Sequence, residues 1–426
     1  MAWVLLIIIN LLFPFIALGY LLAFFLSPRK NLLKNLSEEL PQRFGVYKKQ
    51  NTSNVTWIHA ASVGEVKSVK QIVKFLKVTY PDTSVVITTS TEAGKLTAKK
   101  ILGNSSYLAP VDFYPITARF IKTFKPARLF VFENELWPNM FTACKNNNIP
   151  IGIINGRMSQ KSFKGLKLLK PLTKFIFENV SFACVQTREI AKRYIALGLE
   201  KSKIHVTGNI KYDMLDETPR KTKQVREIIS KLNWQNSKIL VCGSTHPQEE
   251  NAFISVMKKI GKDLNLKFII APRHMERIQQ VKQNLTSNGI KFTSLTQGAS
   301  KENTDCLLVD EMGWLTSFYK MAHLCFVGGT LVQKGGHNLL EPAILQKPIL
   351  MGKHTLNSPD VAQKLIENKA AKVITEKNLS ENLTALLKNE NLMAEMGQNA
   401  YKTALHFQSA TEKTLQVLEK HYEPKS

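Results

Sequence analysis

Three carboxylates and a lysine stand where strand-like segments run out, the positions at which α/β proteins do their chemistry. Val55–His59 leads into Ala60-Ala61-Ser62-Val63-Gly64-Glu65, a small-residue loop with a glutamate in the first turn of the helix that follows. A carboxylate held there can take a proton, which makes Glu65 a candidate general base, although the helix dipole alone also favours an acidic residue at that position. Arg128–Glu133 continues into Asn134-Glu135-Leu136-Trp137-Pro138-Asn139, so Glu133 and Glu135 sit beside an aromatic ring and could stabilise a cationic sugar transition state. Trp137-Pro138 itself reads more simply as packing at a helix start, where proline is tolerated. Lys211, in Thr207-Gly208-Asn209-Ile210-Lys211-Tyr212-Asp213, could meet a carboxylate or a phosphate.

The second half of the chain carries a different chemistry. Ala271-Pro272-Arg273-His274 ends a strand pattern with an arginine whose planar fork suits phosphate. Phe326-Val327-Gly328-Gly329-Thr330 is followed by Lys334-Gly335-Gly336-His337-Asn338-Leu339-Leu340-Glu341-Pro342-Ala343. The glycine pairs let backbone approach a bound phosphate, a helix start offers N–H groups to the anion, and Glu341 can accept from ribose hydroxyls. The pattern reads as a nucleotide site. It contains neither G-x-G-x-x-G nor a Walker A lysine loop, which disfavours dinucleotide oxidoreductases and P-loop enzymes.

The elements that must position these residues repeat as strand then helix. Strands are expected at Val55–His59, Ser84–Thr89, Arg128–Glu133, Pro150–Asn155 and Val180–Gln186, and helices at Glu65–Thr79 and Thr187–Leu197. Periodicity lapses over the polar segment Asp213–Arg226, and a second series begins with strands at Lys238–Cys242, Lys267–Ala271, Cys306–Val309, His323–Val327 and Pro348–Met351. A long helical region, Ser380 to Tyr422, closes the chain. Such repetition implies parallel, doubly wound sheets, hence α/β architecture with two Rossmann-like domains and a cleft between them. The expected division is an anchor over residues 1–28, one domain over 29–215 and a second over 216–426, with the C-terminal helices able to return to the first.

Bulk properties fit that division. A chain of 426 residues exceeds the roughly 250–300 residues served by one core. Its 58 Lys and Arg against 33 Asp and Glu give a net charge of +25, a field that attracts polyanions or an anionic membrane surface. A nucleic-acid partner is disfavoured, because no RNP-type aromatic pattern, zinc knuckle or basic arm accompanies the charge. Cys144, Cys184, Cys242, Cys306 and Cys325 are scattered without a C-x-x-C pair, which implies reduced, buried thiols and no metal site. Trp3–Leu26 lacks charged residues and as a helix would extend about 36 Å against a hydrocarbon core of ~30 Å. Arg29, Lys30 and Lys34 follow it, so a single-pass anchor with the remainder in the cytoplasm is expected; a cleaved signal peptide lacks its charged n-region and A-x-A site.

Taken together, ASVGE at 61–65, ENELWPN at 133–139, NGRMS at 155–159, TGNIKYD at 207–213, PRH at 272–274 and GGHNLLEPA at 335–343 resemble the bacterial transferases that add 3-deoxy-D-manno-octulosonic acid (Kdo) to lipid A precursors. The resemblance runs along essentially the whole chain. It implies a GT-B fold, CMP-Kdo as donor with no cofactor, an anionic glycolipid acceptor (lipid IVA), inversion at the anomeric carbon, and a place at the bacterial inner membrane in lipopolysaccharide biosynthesis. By position it makes Glu65 the base and Glu135 and Lys211 the transition-state stabilisers, with Pro272, Arg273, Met312, Gly313, Trp314, Asn338, Leu339, Leu340 and Glu341 holding CMP. Glu133, Ser62, Gly64, Gly329, Gly336 and His337 are further candidates. Two residues depart from the family pattern: Trp314 where an acidic residue is usual, and Leu339 where proline is. Lys161, Lys164, Lys167, Lys170 and Lys174 recur among Phe163, Leu166, Leu168, Leu169 and Leu172, a basic amphipathic stretch that could lie on the membrane near a phosphorylated acceptor or be a solvated helix face. Competing readings are a UDP-sugar transferase, a sugar-nucleotide epimerase, and a membrane-tethered nucleic-acid binder.

Overall fold

The computed structural model describes residues 4–12, 36–47, 54–215, 217–298 and 304–422. The chain divides into two compact units, Met1–Asp213 with Gln408–Ser426 and Met214–Phe407. In the first, β1 (Val55–His59), β2 (Ser84–Thr89), β3 (Ser106–Leu108), β4 (Pro126–Phe132), β5 (Ile151–Gly156), β6 (Val180–Val185) and β7 (Ile204–Val206) form one sheet in the order β3-β2-β1-β4-β5-β6-β7. In the second, β8 (Lys238–Thr245), β9 (Leu266–Pro272), β10 (Phe292–Ser294), β11 (Cys306–Leu308), β12 (Leu324–Val327), β13 (Ile349–Met351) and β14 (Ala371–Val373) order as β10-β11-β9-β8-β12-β13-β14. Every strand pair is parallel. Central strands are buried along their whole length, as in β1 and β13, because helices cover both faces, and this is why they read as unbroken β-branched and aromatic runs.

All ten strands expected from the sequence are present, with ends displaced by up to three residues. The four that were not expected, β3, β7, β10 and β14, have three residues each. The polar segment Asp213–Arg226, for which no element was expected, takes in the end of the 3-10 turn Ile210–Met214 and the start of the helix Thr222–Lys231, whose Val225 and Ile229 are buried. The expected closing helical region consists of three helices, Leu379–Leu387, Glu390–Phe407 and Ala410–His421.

The last of these belongs to the first unit. Leu418 and Tyr422 join the core that covers β1, β2 and β4. The Tyr422 ring stacks on Tyr80 at 3.9 Å and lies under the Arg128 guanidinium at 3.9 Å, while its hydroxyl bonds Thr83 Oγ1 at 2.6 Å and Thr56 Oγ1 at 2.9 Å. At the other end of the chain, residues 4–12 are helical; Leu6 enters the first unit's core, and Asn10 donates to Asn139 Oδ1 at 2.7 Å and accepts from Tyr114 N at 3.2 Å. Among the described residues no helix is long and apolar enough to cross a membrane; most of the expected anchor, residues 13–28, lies outside them.

Each sheet reverses its winding next to its central strand, between β1 and β4 in one unit and between β8 and β12 in the other. Loops leaving adjacent strands at such a point diverge to opposite faces and open a crevice for ligand. The candidate residues follow β1, β4, β7, β9, β11 and β12.

Candidate active site

In the first unit the helix Val63–Thr79 begins with Ser62 as its cap, the Ser62 hydroxyl accepting from Glu65 N. Glu65 answers in the manner of a capping box: its Oε2 accepts from Ala61 N at 2.8 Å and its Oε1 from Ser62 Oγ at 2.8 Å. The carboxylate that caps this helix is thus also the candidate base, and it is buried. Burial raises its pKa above the ordinary carboxylate value, and the negative charges of Glu133 and Glu135 push the same way against the Ser62 and Ala61 hydrogen bonds. A raised pKa strengthens a base.

Glu133, expected as the last residue of a strand, instead follows β4 with a left-handed backbone, φ 57°, a strained conformation for a non-glycine residue. There its Oε1 receives Lys211 Nζ at 2.5 Å. Lys211 reaches it from the turn Ile210–Met214, which Asn155 ties to β5 by accepting from Ile210 N at 3.1 Å. The lysine pairs with Glu133 rather than with Glu135. Its ammonium stands over Gly64, 3.9 Å from where a Cβ would be. Glu135 is held from the other side: Trp137 Nε1–H donates to its Oε2 at 2.6 Å, and His59 Nε2 faces that oxygen at 3.8 Å. Burial raises the Glu135 pKa, but the imidazole and the indole N–H outweigh it and leave the carboxyl below its usual value. So Glu65, Glu133, Glu135 and Lys211 form one cluster, with one carboxylate tuned upward and one downward. Pairs pushed apart in this way mark acid–base division of labour.

Two members of this site stand outside the candidate residues read from the sequence. His59, the last residue of β1, has no exposure; a histidine ending an otherwise apolar strand was the available clue. Asp112 accepts from Asn139 N at 3.2 Å and Met140 N at 2.8 Å, pinning the start of the helix Pro138–Asn146 and with it the loop that bears Glu135. Burial, opposed by those hydrogen bonds, pushes its carboxyl up to about 6. Beside the loop, Asn134, Leu136 and Trp137 line a hollow with Ser162, Gly165 and Leu166 of the helix Gln160–Leu168.

In the second unit Glu249 organises the glycine loop. Its fully buried carboxylate accepts four backbone N–H groups: His246 at 3.0 Å, Gly329 at 2.9 Å, Thr330 at 3.1 Å and Leu331 at 3.0 Å. Gly328 must be glycine because a Cβ there would lie 2.1 Å from Ser244 O, and Gly329 has φ 74°. Gly336 follows, its N–H on Gly329 O at 2.8 Å, and places His337 against His246, Nε2 to Nε2 at 3.1 Å with the rings near parallel. Burial, then the charge of Arg273, pushes His337 down to about 4. Asn338 donates to Glu341 Oε1 at 3.2 Å, and Arg273 is near enough to pull the Glu341 carboxyl down against the burial that raises it. Arg273, His337, Asn338 and Glu341 therefore gather at one place, where Pro272 is the buried end of β9.

Part of the nucleotide-site expectation needs revision. The helix after the glycines is only Leu340–Ile344, too short for a useful macrodipole, so backbone N–H groups and Arg273 must supply what attraction there is for an anion. Leu339 and Leu340 turn their side chains into the core and can offer a ligand backbone alone. Among the described residues no hydrogen bond or ion pair joins Met312, Gly313 or Trp314 to this group; the Trp314 indole instead donates to Glu311 at 2.9 Å and lies under Lys221 Nζ at 3.9 Å.

A family model described as 3-Deoxy-D-manno-octulosonic-acid transferase (kdotransferase) matches residues 38–214. A 3-deoxy-D-manno-octulosonic acid transferase of Haemophilus influenzae is 33% identical over 397 residues, covering 91% of this chain and 92% of its own. The chain belongs to the Kdo transferase family. A second relative of the same description, from Chlamydophila psittaci, is 32% identical over 358 residues and 82% of each chain. As a member of this family the chain is a glycosyltransferase, as its motifs implied. A solved UDP-GlcNAc 2-epimerase from Neisseria meningitidis has the same two-unit α/β fold, with TM-score 0.59 at 14% identity over 86% of this chain and 99% of its own.

Proposed function

We propose that the chain transfers Kdo from CMP-Kdo to the glucosamine disaccharide of a lipid A precursor, lipid IVA, with inversion at the anomeric carbon. The observation that carries this reading is the cluster of Glu65, Glu133, Glu135 and Lys211 after β1, β4 and β7, in a member of the Kdo transferase family. The acceptor oxygen attacks the anomeric carbon and forms the new glycosidic bond. The bond to the CMP phosphate breaks with its electron pair leaving on phosphate, and Glu65 takes the acceptor proton. Charge that develops on the sugar is met by Glu135, and the sugar's own carboxylate by Lys211. Arg273, His337, Asn338 and Glu341 hold the nucleotide, and Gly329 and Gly336 shape the backbone beside it.

The protein acts at the bacterial inner membrane in this reading, with the surface of Lys161, Lys164, Lys167, Lys170 and Lys174, all exposed, against anionic lipid. Leu168 and Leu169 are exposed with them, whereas Phe163 and Leu166 pack toward the core and Leu172 is buried in it.

Full-length protein incubated with CMP-Kdo and lipid IVA should give product heavier by whole Kdo units in mass spectrometry. Glu65→Gln should abolish transfer while CMP, and not UDP, still raises the melting temperature. Normal turnover in that variant would remove Glu65 as base, and stabilisation by UDP instead of CMP would favour a different nucleotide sugar.

A further inference from the structure

His59 Nε2 is buried and has no hydrogen-bond partner. Buried polar atoms are rarely left so. It faces Glu135 Oε2 at 3.8 Å, beyond hydrogen-bonding distance, and which of the two ring nitrogens bears the proton decides whether that approach is attractive.

The far side of the ring answers the question. His59 Nδ1 lies 3.0 Å from Thr88 Oγ1, and the Trp57 indole donates to the same oxygen at 2.8 Å. An indole N–H can only donate. The Thr88 hydroxyl is itself fully buried, so its proton needs an acceptor, and among the described residues the one within reach is Nδ1. Thr88 thus donates to Nδ1, and the neutral ring carries its hydrogen on Nε2, pointing at Glu135.

We propose that His59 is a positioning residue for glycosyl transfer: its Nε2–H closes onto Glu135 Oε2 when the site is loaded and, with the Trp137 indole, fixes that oxygen so that Oε1 is left to face the sugar. Oε1 has no partner among the described residues, while Trp137 and His59 both address Oε2. Hydrogen bonds that serve catalysis are commonly long in the empty site and tighten with substrate bound. No bond is made or broken at His59; the Trp57–Thr88–His59 chain transmits a tautomer and, through it, an orientation. The role rests on the part assigned to Glu135 above.

The test has an arm that does not depend on turnover. Long-range proton–nitrogen correlation spectra of full-length protein labelled with 15N-histidine, assigned through the His59→Gln variant, should give His59 as the Nε2–H tautomer, and Thr88→Val should shift it toward Nδ1–H. In transfer assays His59→Leu should lower kcat about 100-fold, the scale of a displaced reacting group, with KM for CMP-Kdo and CMP affinity unchanged. His59→Gln, which returns an N–H donor to the Nε2 position, should recover at least tenfold of that loss. An Nδ1–H tautomer in the unaltered protein, a Gln variant no better than Leu, or a loss confined to KM would each overturn the proposal. Wild-type protein inactive on CMP-Kdo but with the Nε2–H tautomer would overturn the functional reading and leave the tautomer chain standing.

Discussion

Glu249→Gln is the sharpest available probe of how the second unit builds its glycine loop. The substitution keeps volume and one acceptor oxygen but turns the other into an NH2 group. Oε2 serves His246 N and Gly329 N, and Oε1 serves Thr330 N and Leu331 N, so whichever way the amide turns, two buried backbone N–H groups lose their acceptor and face a donor. At about 1–3 kcal/mol for each unsatisfied buried donor, the loss is about 2–6 kcal/mol, a large share of the ~5–15 kcal/mol by which domains are stable. The cost falls first on the loop itself. Hydrogen exchange followed by mass spectrometry should therefore find the amides of residues 328–331 exchanging at least about thirtyfold faster, the equivalent of ~2 kcal/mol, with CMP affinity falling alongside. Protection unchanged at those amides would refute the reasoning, since it would mean that the carboxylate's four hydrogen bonds do not hold the loop.

Glu133→Gln should move the acid limb of the kcat/KM profile to lower pH. Burial first, and then the charge of Glu133, keep the Glu65 pKa high; the base works only when ionised, so removing a neighbouring negative charge lets it stay ionised in more acidic solution, and an unmoved limb would dissociate Glu65 from the pH dependence. Tyr422→Ala should destabilise the first unit by about 3–5 kcal/mol, as loss of a buried aromatic does, and Tyr422→Phe by about 1–3 kcal/mol because Thr56 and Thr83 lose a hydroxyl partner; urea unfolding with an unchanged midpoint in the Ala variant would remove the C-terminal helix from that core. Neutralising Lys164, Lys167 and Lys170 should weaken binding to anionic vesicles about a hundredfold, at about 1 kcal/mol per lysine near the surface, and equal binding in sedimentation assays would take the membrane contact off this surface.

What could be read in advance followed from what is local. Buried parallel strands such as β1 and β5 announce themselves as apolar runs because both faces are covered, whereas β3, β7, β10 and β14 are too short to display a period, and the last of these is largely exposed. Thr222–Lys231 shows little helical period because only Val225 and Ile229 of its ten residues are buried, which leaves a helix mostly polar in composition. Glu65, Glu133, Glu135 and Lys211 were legible because each stands at the end of a strand and belongs to a recognisable motif.

The sequence by itself therefore determined two parallel-sheet units, the family, and which side chains are available for chemistry. It did not determine how those side chains are paired. That Lys211 meets Glu133 rather than Glu135 depends on a left-handed residue after β4 and a turn tied to β5 through Asn155; that Glu65 has its pKa raised depends on burial beside two other carboxylates. His59, Asp112 and Glu249 meet partners 76, 27 and 80 residues away along the chain at Glu135, Asn139 and Gly329. Hydrogen bonds and Coulomb forces act over a few ångströms of space, and only the folded chain brings such distant positions within that range.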